Sequence, residues 1–314
     1  MIGAEEPKRA KLTTLAIWDR KWPLLKLSAR ELRDLFFFAS CKWGEDNAPR
    51  ISAALSFYAA LSMAPFLVIA VMAGGVFFGE ASARAEILNQ AKSAFGQGGA
   101  DFLNTLIDNT RKPTPTIIAT VISVIVMFGS AANLFLNLKD ATNSIWSIKG
   151  YPNPWLNAFV ARVKAWILVV VFGSLVLAWL FLDAWIGWVE RKSGLLASWQ
   201  YLSFGISFIF LLLVFAFTYR VLPRSRVVWR DVWFGAIVAA FGVSVTKYLL
   251  GLYFTFSGIS ALYGSAGALV VILLWINYTN WVYWFGMELV WVYAHRHGSQ
   301  KGKVSNWFTE GTLD

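Results

Sequence analysis

The stretch Tyr263 to His297, YGSAGALVVILLWINYTNWVYWFGMELVWVYAHRH, limits the fold more than any other part of the chain. Between Ala266 and Phe285 it holds no charged residue. A helix of about 20 apolar residues is what a bilayer core of about 30 Å requires. Its polar residues are few and placed: Asn277, Tyr278 and Asn280 midway, then Glu288 two turns before a basic end. In hydrocarbon an unpaired polar group costs several kcal/mol, so each must face protein or water. With 57% hydrophobic residues, 15% charged and 17 Trp among 314, the rest of the chain is built the same way. The sequence predicts an all-α, polytopic membrane protein of six transmembrane helices, with short amphipathic helices at its inner and outer faces.

Six spans are predicted, near residues 51–78, 116–138, 162–188, 200–221, 231–254 and 264–294. They form a membrane domain over 51–295, between an arm (1–50) and a tail (296–314). The arm lacks the continuous apolar core of a signal peptide, so the first span is expected to direct insertion. Ser28-Ala29-Arg30-Glu31 reads as a capping box, S-x-x-E. Behind it Leu32, Leu35, Phe36, Ala39 and Trp43 recur at helical spacing. This helix either lies on the inner membrane face, with Lys and Arg against headgroups, or packs under the bundle.

In the first span Pro65 lacks the N–H of a regular helix and is a hinge candidate; Ser52, Ser56 and Ser62 are placed to satisfy the freed carbonyls. The loop 80–115 carries two amphipathic stretches, marked by Ile87, Leu88, Ala91 and Phe95 and by Phe102, Leu103, Leu106 and Ile107. Gly96-Gln97-Gly98-Gly99 separates them as short helices capping the outer face. Span two ends in Asn133 and Asn137, four apart and so on one face, with Lys139-Asp140 beyond. Span three holds Asp183 near its outer end. Span five carries GAIVAAFG, whose small residues allow close helix approach, and Lys247, which needs a partner or water.

The basic residues follow the topology. With the N-terminus inside, inner segments hold 21 of the 28 Lys and Arg, outer loops six, and span five Lys247. That split places both termini on the cytoplasmic side. It also accounts for the net charge of +10 without nucleic acid, because the positive charge is spread over several inner loops. Cys41 is the one cysteine, so neither an intrachain disulfide nor a thiolate metal cluster can form.

Four segments carry a resemblance: AALSFYAALSMAPF in span one, NLKDATNSIW after span two, YRVLPR after span four, and LYGSAGALVVILLWINY with GMEL in span six. In that order, over roughly residues 45–295, the chain resembles the YihY/BrkB family of bacterial inner-membrane proteins. The family once bore the name of a tRNA-processing ribonuclease, ribonuclease BN. The resemblance implies a six-helix bundle in the bacterial inner membrane. Suggested roles for the family are envelope-lipid or lipopolysaccharide-related transport and resistance to host serum.

The residues themselves favour cargo handling. Lys247 and Asp183 fall at comparable outer depth and can pair; Glu288, nearer the inner face, can meet Lys139 or Arg220. With Asn133, Asn137, Asn277 and Asn280 they outline a polar groove open to an envelope lipid, a lipid-linked molecule or a small amphipathic solute. The alternative is a membrane scaffold or partner-binding protein without cargo, using the arm helix and the tail, with the same polar groups only gluing helices together. Ribonuclease activity is the weakest reading. The two histidines, His295 and His297, form an HRH tail of the kind expected at a basic interfacial end, and no GxSxG, Walker loop or HExxH occurs. Neither a metal nor another cofactor is implied, and membrane lipids are the expected partners.

Overall fold

The computed structural model describes residues 28–111, 129, 135–146, 196–225, 227–257 and 267–301, with isolated positions between 160 and 178. These residues are helical with no strand among them. The named helices are α1 (Ala29–Glu45), α2 (Ala48–Phe78), α3 (Glu80–Arg111), α4 (Leu196–Val221), α5 (Trp229–Ser257) and α6 (Gly267–Arg296). Within α4, α5 and α6, the segments Phe204–Val221, Trp229–Tyr253 and Gly267–Arg296 are long and apolar enough to cross a membrane. Spans two and three of the sequence reading lie for the most part outside the described residues, and Asn133 and Asp183 with them.

Helix α6 is the shared wall of the bundle: α1, α2, α3, α4 and α5 all pack on it. Its second half, from Tyr283 to Ala294, is almost wholly buried. A helix apolar on all sides gains from packing on all sides, and α6 has neighbours enough to do so. Against α5 the approach is backbone-close. A Cβ on Gly235 would run into the carbonyl oxygen of Gly286, and one on Gly286 would sit 2.7 Å from Cβ of Ala239. Ala236, Ala239 and Ala240 of the GAIVAAFG run are fully buried there. The small residues thus do what their spacing predicts: they let two spanning helices touch.

Helix α1 begins with the expected capping box. Ser28 N–H donates to Glu31 Oε2 at 2.7 Å, and the Ser28 hydroxyl accepts from the Arg30 amide at 3.4 Å. Of its two possible placements, packing under the bundle is the one seen. Leu35 and Ala39 are fully buried, and the Phe36 ring meets Phe234 of α5 and Phe285 of α6 at centroid distances of 6.3 and 5.8 Å. Leu32 and Phe37 stay exposed on the outer side. A two-residue turn then reverses the chain into α2. Asn47 takes the left-handed conformation (φ 53°), which its short polar side chain tolerates, and Pro49 follows in the first turn of the helix.

Helix α2 is continuous through Pro65. The serine expectation fails in detail. Ser52, Ser56 and Ser62 donate to the carbonyls of Ala48, Ser52 and Ala59, whereas the amide missing at Pro65 frees the carbonyl of Leu61. These hydroxyls are satisfied one turn back on their own helix instead.

The two amphipathic stretches of loop 80–115 are the arms of α3, which breaks at Gly96 (φ 75°, ψ −176°). Across the break, Arg84 of the first arm bonds Asn104 (3.0 Å) and pairs with Asp108 (2.6 Å) of the second. Ala91, Ala100, Leu103 and Ile107 bury against Leu67 and Val71 of α2 and Ile272 of α6. This hairpin covers the end of the bundle opposite α1; the α1 end is called basal below.

Gly286→Val should cost at least about 2 kcal/mol, because backbone and the Ala239 methyl occupy the space a side chain needs. Gly205→Ala on α4, whose Cβ would meet nothing within 4 Å, should be neutral or slightly stabilising. Thermal unfolding of the two variants in detergent checks the contrast.

Candidate functional site

The basal end gathers the polar chemistry of the described residues. Leu35, Ala39 and Lys42 are four and three residues apart, so the buried stripe of α1 ends in a lysine. Its ammonium lies 3.5 Å from Glu288 Oε2 of α6 and in ionic contact with Asp46 one turn on. Glu288 has no exposed surface, the Lys42 side chain is 6% exposed, and Asp46 alone reaches the surface, at 24%. The ammonium also sits 4.7 Å from the ring centroid of Trp291. Two carboxylates thus share one cation, and only one of them has access to water. The partners foreseen for Glu288, Lys139 and Arg220, are replaced by Lys42 and Asp46, because α1 folds back under α6. The signal was in the sequence: Lys42 falls on the apolar stripe of its helix.

From Glu288 a line of polar atoms runs up α6. Asn277, Trp281, Trp284 and Glu288 are spaced by four, three and four residues and share one face. Asn277 Oδ1 and both Trp Nε1 atoms are buried, without a hydrogen-bond partner among the described residues, while the equally buried Glu288 carboxylate is held by the Lys42 ion pair. Thr279 Oγ1, one face round, is also buried without a partner among them. Trp43 of α1 borders the stripe, donating to the Trp281 carbonyl at 3.2 Å with the two rings edge-on at 5.5 Å. Asn280 is half-buried on the same helix.

The remaining predicted site residues lie elsewhere. Asn137 is exposed on the helical segment 135–145 and has interactions of its own. Lys247 is exposed on α5. At about 100° per residue it is roughly a third of a turn from the glycine face that meets α6. Asp183 and Asn133 are outside the described residues, and so is the Lys247–Asp183 pair.

Loops and helix ends lock the basal floor. Asn143 Oδ1 accepts the Arg224 amide at 3.2 Å, and Tyr219 donates its hydroxyl to the Tyr283 carbonyl at 2.6 Å. Asp231 Oδ2 accepts the Ser299 amide at 2.9 Å, tying the segment after α6 to the start of α5. Trp146 and Trp291 lie on His295 at 5.9 and 4.2 Å between centroids. His297 Nε2 stands 3.8 Å from Glu31 Oε1. Burial holds its imidazole below the ordinary value of 6.5, partly offset by the Glu31 carboxylate.

A family model described as "Virulence factor BrkB" matches residues 39–307. The chain belongs to the BrkB family. It is 27% identical over 274 residues to a UPF0761 membrane protein of Ralstonia nicotianae, covering 84% of this chain and 58% of that one. A UPF0761 membrane protein of Alteromonas mediterranea is 26% identical over 267 residues, covering 81% and 85%. One from Nitrosospira multiformis is 25% identical over 258 residues, covering 79% and 58%. The chain therefore spans under two thirds of the length of two of these relatives. No solved structure matches it. The family assignment and the three apolar helices together make this an integral membrane protein. The match begins within α1, so Lys42, Asp46 and Glu288 all belong to the BrkB region.

Lys42→Met should destabilise the fold by about 3–5 kcal/mol, since it strands the buried Glu288 carboxylate. Adding Glu288→Gln should recover most of that loss, as read from unfolding midpoints of the single and double variants. His297 binds its proton less readily folded than unfolded. Its contribution is therefore complete above pH 6.5 and is lost as pH falls through the lower folded value. His297→Gln should flatten that part of the stability profile between pH 7 and 5.

Proposed function

We propose that this protein is a six-span protein of the bacterial inner membrane, with both termini in the cytoplasm, that moves an envelope lipid, a lipid-linked molecule or a small amphipathic cargo along the polar face of α6. The observation that carries the reading is the stripe from Asn277 to Trp284, where Asn277 Oδ1 and the Trp281 and Trp284 Nε1 atoms are buried without a hydrogen-bond partner among the described residues. Helix glue joins polar groups to one another, whereas these atoms are left for something polar to pass or bind. Such groups are costly at membrane depth and retained for function more often than for packing. The excess of Lys and Arg in the inner segments supports the orientation. The basal floor closes the lower end of the stripe, where Lys42 is already paired with Glu288 and Asp46. Pro65, whose missing N–H leaves one hydrogen bond of α2 unmade, is the hinge candidate about which α2 would move aside. On this reading the cargo is handled without covalent chemistry.

The test is transbilayer movement of headgroup-labelled lipids in proteoliposomes. Wild-type protein should speed the movement, and Asn277→Leu should slow it at least about tenfold while the unfolding midpoint stays near wild type. Equal rates in empty and protein-bearing vesicles, or in wild type and Asn277→Leu, would contradict the proposal.

A further inference from the structure

Where α4 ends and the chain turns into α5, an open pocket of about 480 Å³ is lined by Arg220, Val221, Pro223, Arg224, Ser225 and Trp229. None of these residues is acidic. The nearest acid in sequence, Asp231, is buried and engaged by the Ser299 amide. Two polar atoms of the lining, Arg220 Nε and Ser225 Oγ, are buried without a hydrogen-bond partner among the described residues. Two arginines and a serine in a lining that holds no acid suit an acceptor with several oxygens and negative charge. Asn143 accepts the Arg224 backbone amide, which ties down the turn, and Arg224 lines the pocket. At the rim Val221, Val228 and Trp229 expose apolar surface. Arg220 occupies the last turn of a membrane-spanning helix. That combination, cations below an aromatic and aliphatic lip at a helix end, suits a group that is anionic at its head and greasy behind it.

We propose that this pocket binds a phosphate group, with Arg220 and Arg224 as charged donors, Ser225 as a neutral one and Trp229 flanking the attached carbon skeleton. The chemistry is shared by an anionic phospholipid headgroup and a free phosphate ester. The site is separate from the α6 stripe, and binding here requires no transport along it.

The test is calorimetric titration of the full chain in a neutral detergent with three probes: dioctanoyl phosphatidylglycerol, dioctanoylglycerol and inorganic phosphate. The phospholipid should bind and dioctanoylglycerol, which lacks the phosphate, should not. Arg224→Gln should weaken phospholipid binding about tenfold. Because Arg224 is exposed, that variant should keep the wild-type unfolding midpoint, and it decides the matter even if Arg220→Gln misfolds. Inorganic phosphate binding as tightly as the phospholipid assigns the site to soluble phosphate compounds; much weaker binding assigns it to the lipid headgroup. Equal binding of dioctanoylglycerol, or unchanged phospholipid binding by Arg224→Gln, overturns the proposal.

Discussion

A carboxylate with no exposed surface, Glu288, sits in the most enclosed helix of the bundle, and a single ammonium answers it at 3.5 Å. Much of the basal architecture follows from that requirement. Lys42 comes from a helix with no membrane-spanning segment of its own, so α1 must fold back beneath α6. The Asn47 turn makes the reversal possible. Leu35, Ala39 and Phe36 hold α1 in place by burial, each apolar side chain contributing on the order of 1–3 kcal/mol. Asp46, Trp291 and Trp43 then complete the enclosure around the ammonium and the lower end of the polar stripe.

The four sequence segments that first pointed to the BrkB family acquire physical roles at this floor. GMEL supplies Gly286, where α5 touches α6, and Glu288. YRVLPR supplies the Tyr219 hydroxyl that takes up the Tyr283 carbonyl, and the turn that carries Arg220 and Arg224. NLKDATNSIW supplies Asn143, which caps that turn, and Trp146, which covers His295. The span-one segment supplies Leu55 and Ser56, buried near the start of α2. Segments far apart in the chain meet because three helix ends converge on the base of α6.

Much of this was legible in the chain. Hydrophobic length located α4, α5 and α6; glycine and alanine spacing located the α5–α6 contact; Gly96 located the break in α3. Ser28 and Glu31 announced the start of α1. What was not legible was partnership across the fold. Helical periodicity says which residues share a face, but not which helix that face will meet. Glu288 was therefore matched by depth to Lys139 and Arg220, while its true neighbour lay 246 positions earlier in the chain, at Lys42. A lysine in an amphipathic helix ordinarily faces solvent, although the register of Lys42 with Leu35 and Ala39 argues otherwise. Lys247 is exposed on α5, and Asp183, with which it is expected to pair, lies outside the described residues.

Whether α1 is docked on α6 in the membrane decides the account. Trp43 and Trp281, whose rings lie 5.5 Å apart, can each be changed to cysteine in a Cys41→Ser background and treated in native membranes with a short thiol cross-linker. Docking predicts an intramolecular cross-link between positions 43 and 281, absent from either single-cysteine chain. Normal membrane levels of the double-cysteine chain with no cross-link at any spacer length would contradict it.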